Sequence, residues 1–226
     1  MTRWQGMAAA LALATALAGC STDEAFNESA ASVRATGARI AGAVTGRRAG
    51  GAVAAPPAAT RESIDAAPRP IRFVSIEKFG ATAPLAELSR NGDVTVFASQ
   101  DGVQFALRDG VLIATRGLAV DLMSAAAPSA ATLRRGTGAH GRAYFTLDGT
   151  NATVRADFRC TLETAGRETL QIIGLTVPTT LVVERCSGGG ASFENRFWFD
   201  DRGRIRNARQ WINPTLETVS IADPMR

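Results

Sequence analysis

Four dipeptides, Asn91-Gly92, Asp101-Gly102, Asp109-Gly110 and Asp148-Gly149, cut the middle of this 226-residue chain into short pieces. Asn-Gly and Asp-Gly supply the left-handed backbone of a type I′ turn, whose twist matches that of two antiparallel strands. The pieces around them are short, β-rich runs: 94–98, 103–107, 111–115, 141–148 and 152–163. Runs 71–76 and 83–88 precede them. Runs 169–177 and 180–186 follow, divided by Pro178, then 192–200 after the triple glycine 188–190 and 204–212 after Gly203. About ten strands at this spacing predict an all-β fold, a single antiparallel meander forming a barrel-like body or a sandwich. Two segments break the rhythm. Residues 117–128 read as a loop or short helix, and 134–141 as a glycine-rich excursion into solvent.

The cleanest alternation lies in 153–163. Val154, Ala156, Phe158, Cys160 and Leu162 share one face, and Arg155, Asp157, Arg159, Thr161 and Glu163 the other. That places Cys160 inside. Apart from Cys20, the remaining cysteines are Cys160 and Cys186, and an exported chain most simply pairs two such thiols. Closing that loop is worth roughly 3.5 kcal/mol on chain-entropy grounds. A metal site is not expected, because His140 is the only imidazole.

Export is read from the first twenty residues. Arg3 is followed by an apolar run, 7–18, well short of the ~20 residues a membrane-spanning helix needs. Leu17-Ala18-Gly19-Cys20 resembles the bacterial lipobox, in which the cysteine is lipidated before cleavage; the alternative is an ordinary secretory signal with a chance cysteine. The reading is therefore a signal peptide at 1–19, a lipid (palmitate-type) anchor on Cys20 with an Ala/Gly/Pro-rich tether over 20–70, and a β domain over 71–226. Two or more acyl chains hold a protein at a membrane where one alone does so only marginally. Ser21, standing where inner-membrane retention usually shows Asp, points to the outer membrane with the domain facing the periplasm. Within the tether, 29–44 has weak helical spacing, and 60–67 reads as a capped helical turn ended by Pro68. A net charge of +4, almost all of its positive side arginine, gives no argument for nucleic acid.

No catalytic set emerges. The chain has no G-x-S-x-G, H-E-x-x-H or P-loop pattern. His140 reads as an exposed loop histidine. Asp93, Asp101, Asp109, Asp148 and Asp201 sit beside turns, where aspartate bonds its own backbone. Asp121, in an apolar context, reads as a cap or an arginine partner. We therefore expect neither enzyme activity nor a cofactor, and look for a recognition surface in Trp198, Arg209, Gln210, Trp211 and Arg116. With Phe193, Asn195, Phe197 and Phe199 on one face, Trp198 points to the other beside Glu194 and Arg196, where an indole could meet a sugar ring or a partner protein. The competing reading packs both indoles on the barrel wall; it fits Trp211 better and leaves Trp198 open.

The segments Asn91-Gly-Asp-Val, Arg108-Asp-Gly-Val-Leu-Ile-Ala-Thr-Arg-Gly-Leu and Asp121-Leu-Met, together with the cysteine pair and the closing Arg209-Gln-Trp-Ile-Asn-Pro, resemble the YjbF-like lipoproteins of the group 4 capsule and exopolysaccharide systems. The resemblance runs from about Thr60 to Pro214. It implies an outer-membrane lipoprotein with a β-barrel-like domain and no known enzyme activity, serving production or export of a surface polysaccharide by binding glycan or an export protein. It carries Cys20 over as the lipid site, and Arg116-Gly117-Leu118 and Arg209-Gln210-Trp211 as family positions. Two other functions compete: a periplasmic lipid or lipoprotein carrier with an apolar cavity, and a polysaccharide-modifying enzyme with two carboxylates across a cleft.

Overall fold

A computed structural model describes residues 59–226. The signal peptide, Cys20 and most of the tether, with its weak helix at 29–44, lie outside the described residues. Twelve strands are present among the described residues: β1 Ile71–Ile76, β2 Ala81–Asn91, β3 Val94–Ala98, β4 Gln104–Arg108, β5 Val111–Arg116, β6 Ser124–Ala126, β7 Thr137–Leu147, β8 Thr153–Ile172, β9 Leu175–Gly188, β10 Ala191–Phe199, β11 Ile205–Asn213 and β12 Glu217–Ala222. All pair antiparallel in the order 5-4-3-2-1-12-11-10-9-8-7-6. Each neighbour in space is therefore a neighbour in sequence, with β12 returning to β1.

The two ends of this sheet, β5 and β6, are joined by a short loop that draws them together. Thr115 N–H donates to Leu122 O at 2.8 Å. Asp121 accepts from Thr115 Oγ1 at 2.8 Å and from the N–H groups of Gly117 and Leu118, so it caps the loop. The result is a nearly closed barrel.

The turns explain where sequence reading works and where it fails. Asp109 and Gly110 both have positive φ, +49° and +88°, as a type I′ hairpin requires. Asp148 Oδ1 accepts from Thr150 N and Ala152 N at 2.8 and 2.9 Å, tying its own loop. The β8–β9 reversal, by contrast, falls at Ile173-Gly174 (φ +42° and +72°), and not at Pro178. A β-branched residue rarely adopts positive φ, so this turn has no signature. Pro178 instead lies inside β9, opposite Thr169, beyond the point where β10 ends against Thr180. There β9 has a neighbour on one side only, where a missing N–H is tolerated.

Three further expectations are corrected. Residues 134–141 are no excursion: α2 (Ala130–Arg134) runs into β7, which pairs with β8 from Thr137 onward. The segment 117–128 contains β6, too short to read from sequence. The packed body also begins before Ile71. Helix α1 (Arg61–Asp65) has the expected cap, with Thr60 Oγ1 accepting from Ser63 N. It buries Ile64, and Arg61 donates to Pro224 O at 2.6 Å.

The barrel is filled. Phe97, Phe105, Ile76, Leu85, Leu122, Ile212 and Leu216 are almost wholly buried in one cluster, each such side chain worth ~1.5–3 kcal/mol in burial. A second cluster, around Leu133, Phe197 and Ile205, seals the barrel beneath α2. Cys160 and Cys186 face each other across β8 and β9, their Cα atoms 4.1 Å apart, and are disulfide-bonded.

Candidate functional site

The residues expected to form a recognition surface do not meet. Trp198 does point away from Phe197, but the wall covers it: it is 7% exposed, packs on Leu181 and Val183 beside Leu170, and donates from Nε1 to Glu168 at 2.7 Å. The extended β8–β9 hairpin supplies Leu170 and Glu168, and its length is hidden by the unreadable turn at Ile173-Gly174. Gln210 is buried inside the barrel, where Oε1 accepts from Leu112 N at 3.0 Å and Nε2 donates to Gly110 O at 3.4 Å. It ties β11 to the start of β5. Arg209 lies outside, paired with Glu77 at 2.5 Å. Trp211 stacks on Phe193 with ring centroids 4.5 Å apart, in a cluster with Tyr144 and Phe158. Arg116 serves the β5–β6 seam, donating to Thr115 O, Leu122 O and Met123 O.

Two assemblies of charged residues were not anticipated. The first fills part of the barrel interior. Glu184 on β9 is fully buried and accepts from Arg142 (β7), whose Nη2 lies 3.0 and 2.9 Å from its two oxygens. Asn195 (β10) donates to it at 2.6 Å, and His140 Nε2 lies 2.6 Å away. His140 is thus a strand residue facing Glu184, and not an exposed loop histidine. Burial alone would push the Glu184 carboxyl up, but the charge of Arg142 and the bonds from His140 and Asn195 outweigh it and hold the pKa below the ordinary value. Asn195 also accepts from Trp211 N at 2.7 Å, and Tyr144 donates to Trp211 O at 3.1 Å. The signal for this network lies in the two-residue period: Glu184 shares a face with Cys186, and Asn195 with Phe193 and Phe197. His140, Cys160 and Glu184 approach one another within 4.8 Å, but the Cys160 sulfur is committed to the disulfide.

The second assembly is open. The β2–β3, β4–β5 and β10–β11 turns converge with α2 around a cavity of about 460 Å³. That volume is in the ~300–1,000 Å³ range of small-molecule sites. Phe97, Leu107, Ala130 and Ile205 give it an apolar floor, and its walls carry five arginines and three aspartates. Arg72 pairs with Asp223 at 2.8 Å and lies 4.9 Å over the Phe97 ring. Arg90 pairs with Glu87, Arg204 with Asp200, and Asp93 with Arg108. Arg134 and Arg202, at the rim, are exposed. No single segment announces this pocket, because its contributors come from turns, strands and α2 that lie far apart in sequence.

The fold and the sequence now point the same way. The barrel resembles the crystal structure of the hypothetical lipoprotein YmcC from Escherichia coli K12, with a TM-score of 0.67 and 20% identity over 75% of this chain and 90% of that one. No curated protein matches the chain. Residues 25–222 match the family described as group 4 capsule polysaccharide lipoprotein gfcB, YjbF. That match spans every strand of the barrel and the segment before it, so the chain belongs to the YjbF family of group 4 capsule polysaccharide lipoproteins.

Proposed function

We propose that the protein is a non-catalytic accessory of surface-polysaccharide production or export. It is held at the outer membrane by lipid on Cys20, faces the periplasm, and acts by binding in the arginine-walled pocket. The observation that carries this reading is the state of the pocket's charges. Asp223 and Asp93 are held as ion-pair partners of Arg72 and Arg108, which suits a binding wall better than an acid–base pair. The packed interior of the barrel favours recognition at its end over carriage of acyl chains within it.

Deleting the gene should lower surface polysaccharide, and the wild-type chain should restore it. Cys20→Ser should fail to take up labelled palmitate, leave the membrane fraction and restore secretion poorly. Unchanged secretion in the deletion strain would end the accessory reading. Palmitate on Cys20→Ser would end the anchor.

A further inference from the structure

The rim of the pocket holds two arginines that the fold does not use. Arg134 ends α2 and Arg202 lies in the β10–β11 turn. Among the described residues neither has a hydrogen bond or ion pair, whereas Arg72, Arg90 and Arg204 in the same wall each hold a carboxylate. Of the aspartates in the lining, Asp93 and Asp223 are spent on Arg108 and Arg72. Two unengaged guanidiniums therefore stand against Asp109 alone. Gly203 adds a positional argument. Its φ is +80°, and a Cβ there would collide with the Arg134 guanidinium, so the turn leaves a seat for that group beside the rim.

We infer that this pocket binds an acidic sugar unit, with Arg134 and Arg202 on its carboxylate or phosphate and the sugar ring in the cavity behind them. The inference rests on the reading of the chain as a polysaccharide accessory. A guanidinium presents parallel N–H donors that match a carboxylate or phosphate bidentately, and it remains charged throughout the physiological range. An arginine already holding Asp223 or Asp200 offers little to a newcomer; an unpaired one offers its full fork. The cavity's volume of about 460 Å³ explains why the ligand should be a sugar carrying the anion and not the anion alone. Free phosphate would fill only a small part of it.

The test uses the full-length lipidated chain in non-ionic detergent, titrated calorimetrically with tetragalacturonate, maltotetraose and inorganic phosphate. Tetragalacturonate should bind, and maltotetraose should not. The Arg134→Glu/Arg202→Glu variant should raise Kd for tetragalacturonate at least tenfold, and Arg134→Lys/Arg202→Lys should lose only a few-fold, since charge survives and the fork does not. Equal affinity for maltotetraose, or an unchanged Kd in the Glu variant, overturns the assignment. Phosphate binding as tightly as tetragalacturonate overturns the sugar while leaving an anion site. Secretion separates this inference from the reading beneath it. If the Glu variant abolishes secretion while wild type binds no tetragalacturonate, the ligand class is wrong and the accessory role stands; if gene deletion itself leaves secretion intact, the role falls as well.

Discussion

Arg142 and Arg134 are the same side chain in opposite situations. Arg142 is 1% exposed, and both oxygens of Glu184 accept from it inside the barrel. Arg134 stands at a rim with no partner among the described residues. A buried guanidinium must be answered from within the fold, because desolvating an unpaired charge costs several kcal/mol. A guanidinium at the surface carries no such demand, so leaving it unanswered costs the fold nothing and leaves it available to something else. The interior assembly is closed on itself, whereas the pocket has charge to spare. Stability and recognition should therefore separate between these two regions.

The largest break in that comparison should come from Arg142→Ala. It leaves Glu184 buried with only His140 and Asn195, and removing one partner of a buried pair costs about 3–5 kcal/mol. The loss should appear as a lower urea midpoint at neutral pH. The pH dependence gives an independent check. In the wild type, Glu184 titrates below its ordinary value of 4.5, so its contribution is complete above that value and is lost as pH falls through the folded-state pKa. Without Arg142 the burial effect is opposed only by the bonds from His140 and Asn195, so the folded-state pKa moves up. The variant's deficit should then shrink as pH falls from neutral, where the carboxyl takes up a proton sooner than in the wild type. A deficit that stays constant as pH falls would show that the guanidinium acts through packing alone.

The disulfide is next. It joins β8 to β9, the strand that carries Glu184, with Cys160 opposite His140 on one side and Cys186 on the other. Cys160→Ser/Cys186→Ser should lower unfolding free energy by roughly 3.5 kcal/mol. Reductant should do the same to the wild type and nothing to the variant. Gln210→Ala should cost less, ~2 kcal/mol, by leaving the Leu112 N–H and Gly110 carbonyl without their side-chain partner. Denaturant titration would show it. A neutral result would mean that β5 finds other partners and that Gln210 does not brace the barrel.

How much of this was readable from the chain follows from the range of each interaction. Asp109-Gly110 is legible because two adjacent residues fix their own backbone. The inward face of 153–163 is legible because the two-residue period needs no partner. Ile173-Gly174 is not, since its conformation is imposed by the pairing of Leu170 with Val177 and of Ile172 with Leu175 on either side. That one unreadable turn also hid the strand extension that covers Trp198, and with it the mistaken outward surface. Gln210 and Arg116 belong to segments that mark the family, yet their partners lie elsewhere: Leu112 and Gly110 across the barrel for Gln210, and the Leu122 and Met123 carbonyls across the seam for Arg116. The pocket is least legible, because its rim is assembled from turns far apart in sequence whose meeting is a property of the closed barrel.

The smallest expected effect on stability is the one that most sharpens the comparison. Arg134→Ala and Arg202→Ala remove side chains that make no hydrogen bond or ion pair among the described residues. Surface changes away from such features usually stay within about ±0.5 kcal/mol. Both variants, and their combination, should unfold at the wild-type denaturant midpoint. Arg134 also lies against Gly203, so its loss opens a small surface gap, but a gap at an open rim is filled by water and carries no cavity penalty of the kind seen in cores. A measurable loss would mean that these arginines, like Arg142, are answered from within the fold, by Asp109 or by the nearby turn carbonyls. They would then have nothing left to offer a ligand, and the distinction between a saturated interior and an unsaturated rim would disappear. An unchanged midpoint combined with weaker tetragalacturonate binding would place the two uses of arginine in separate parts of one barrel.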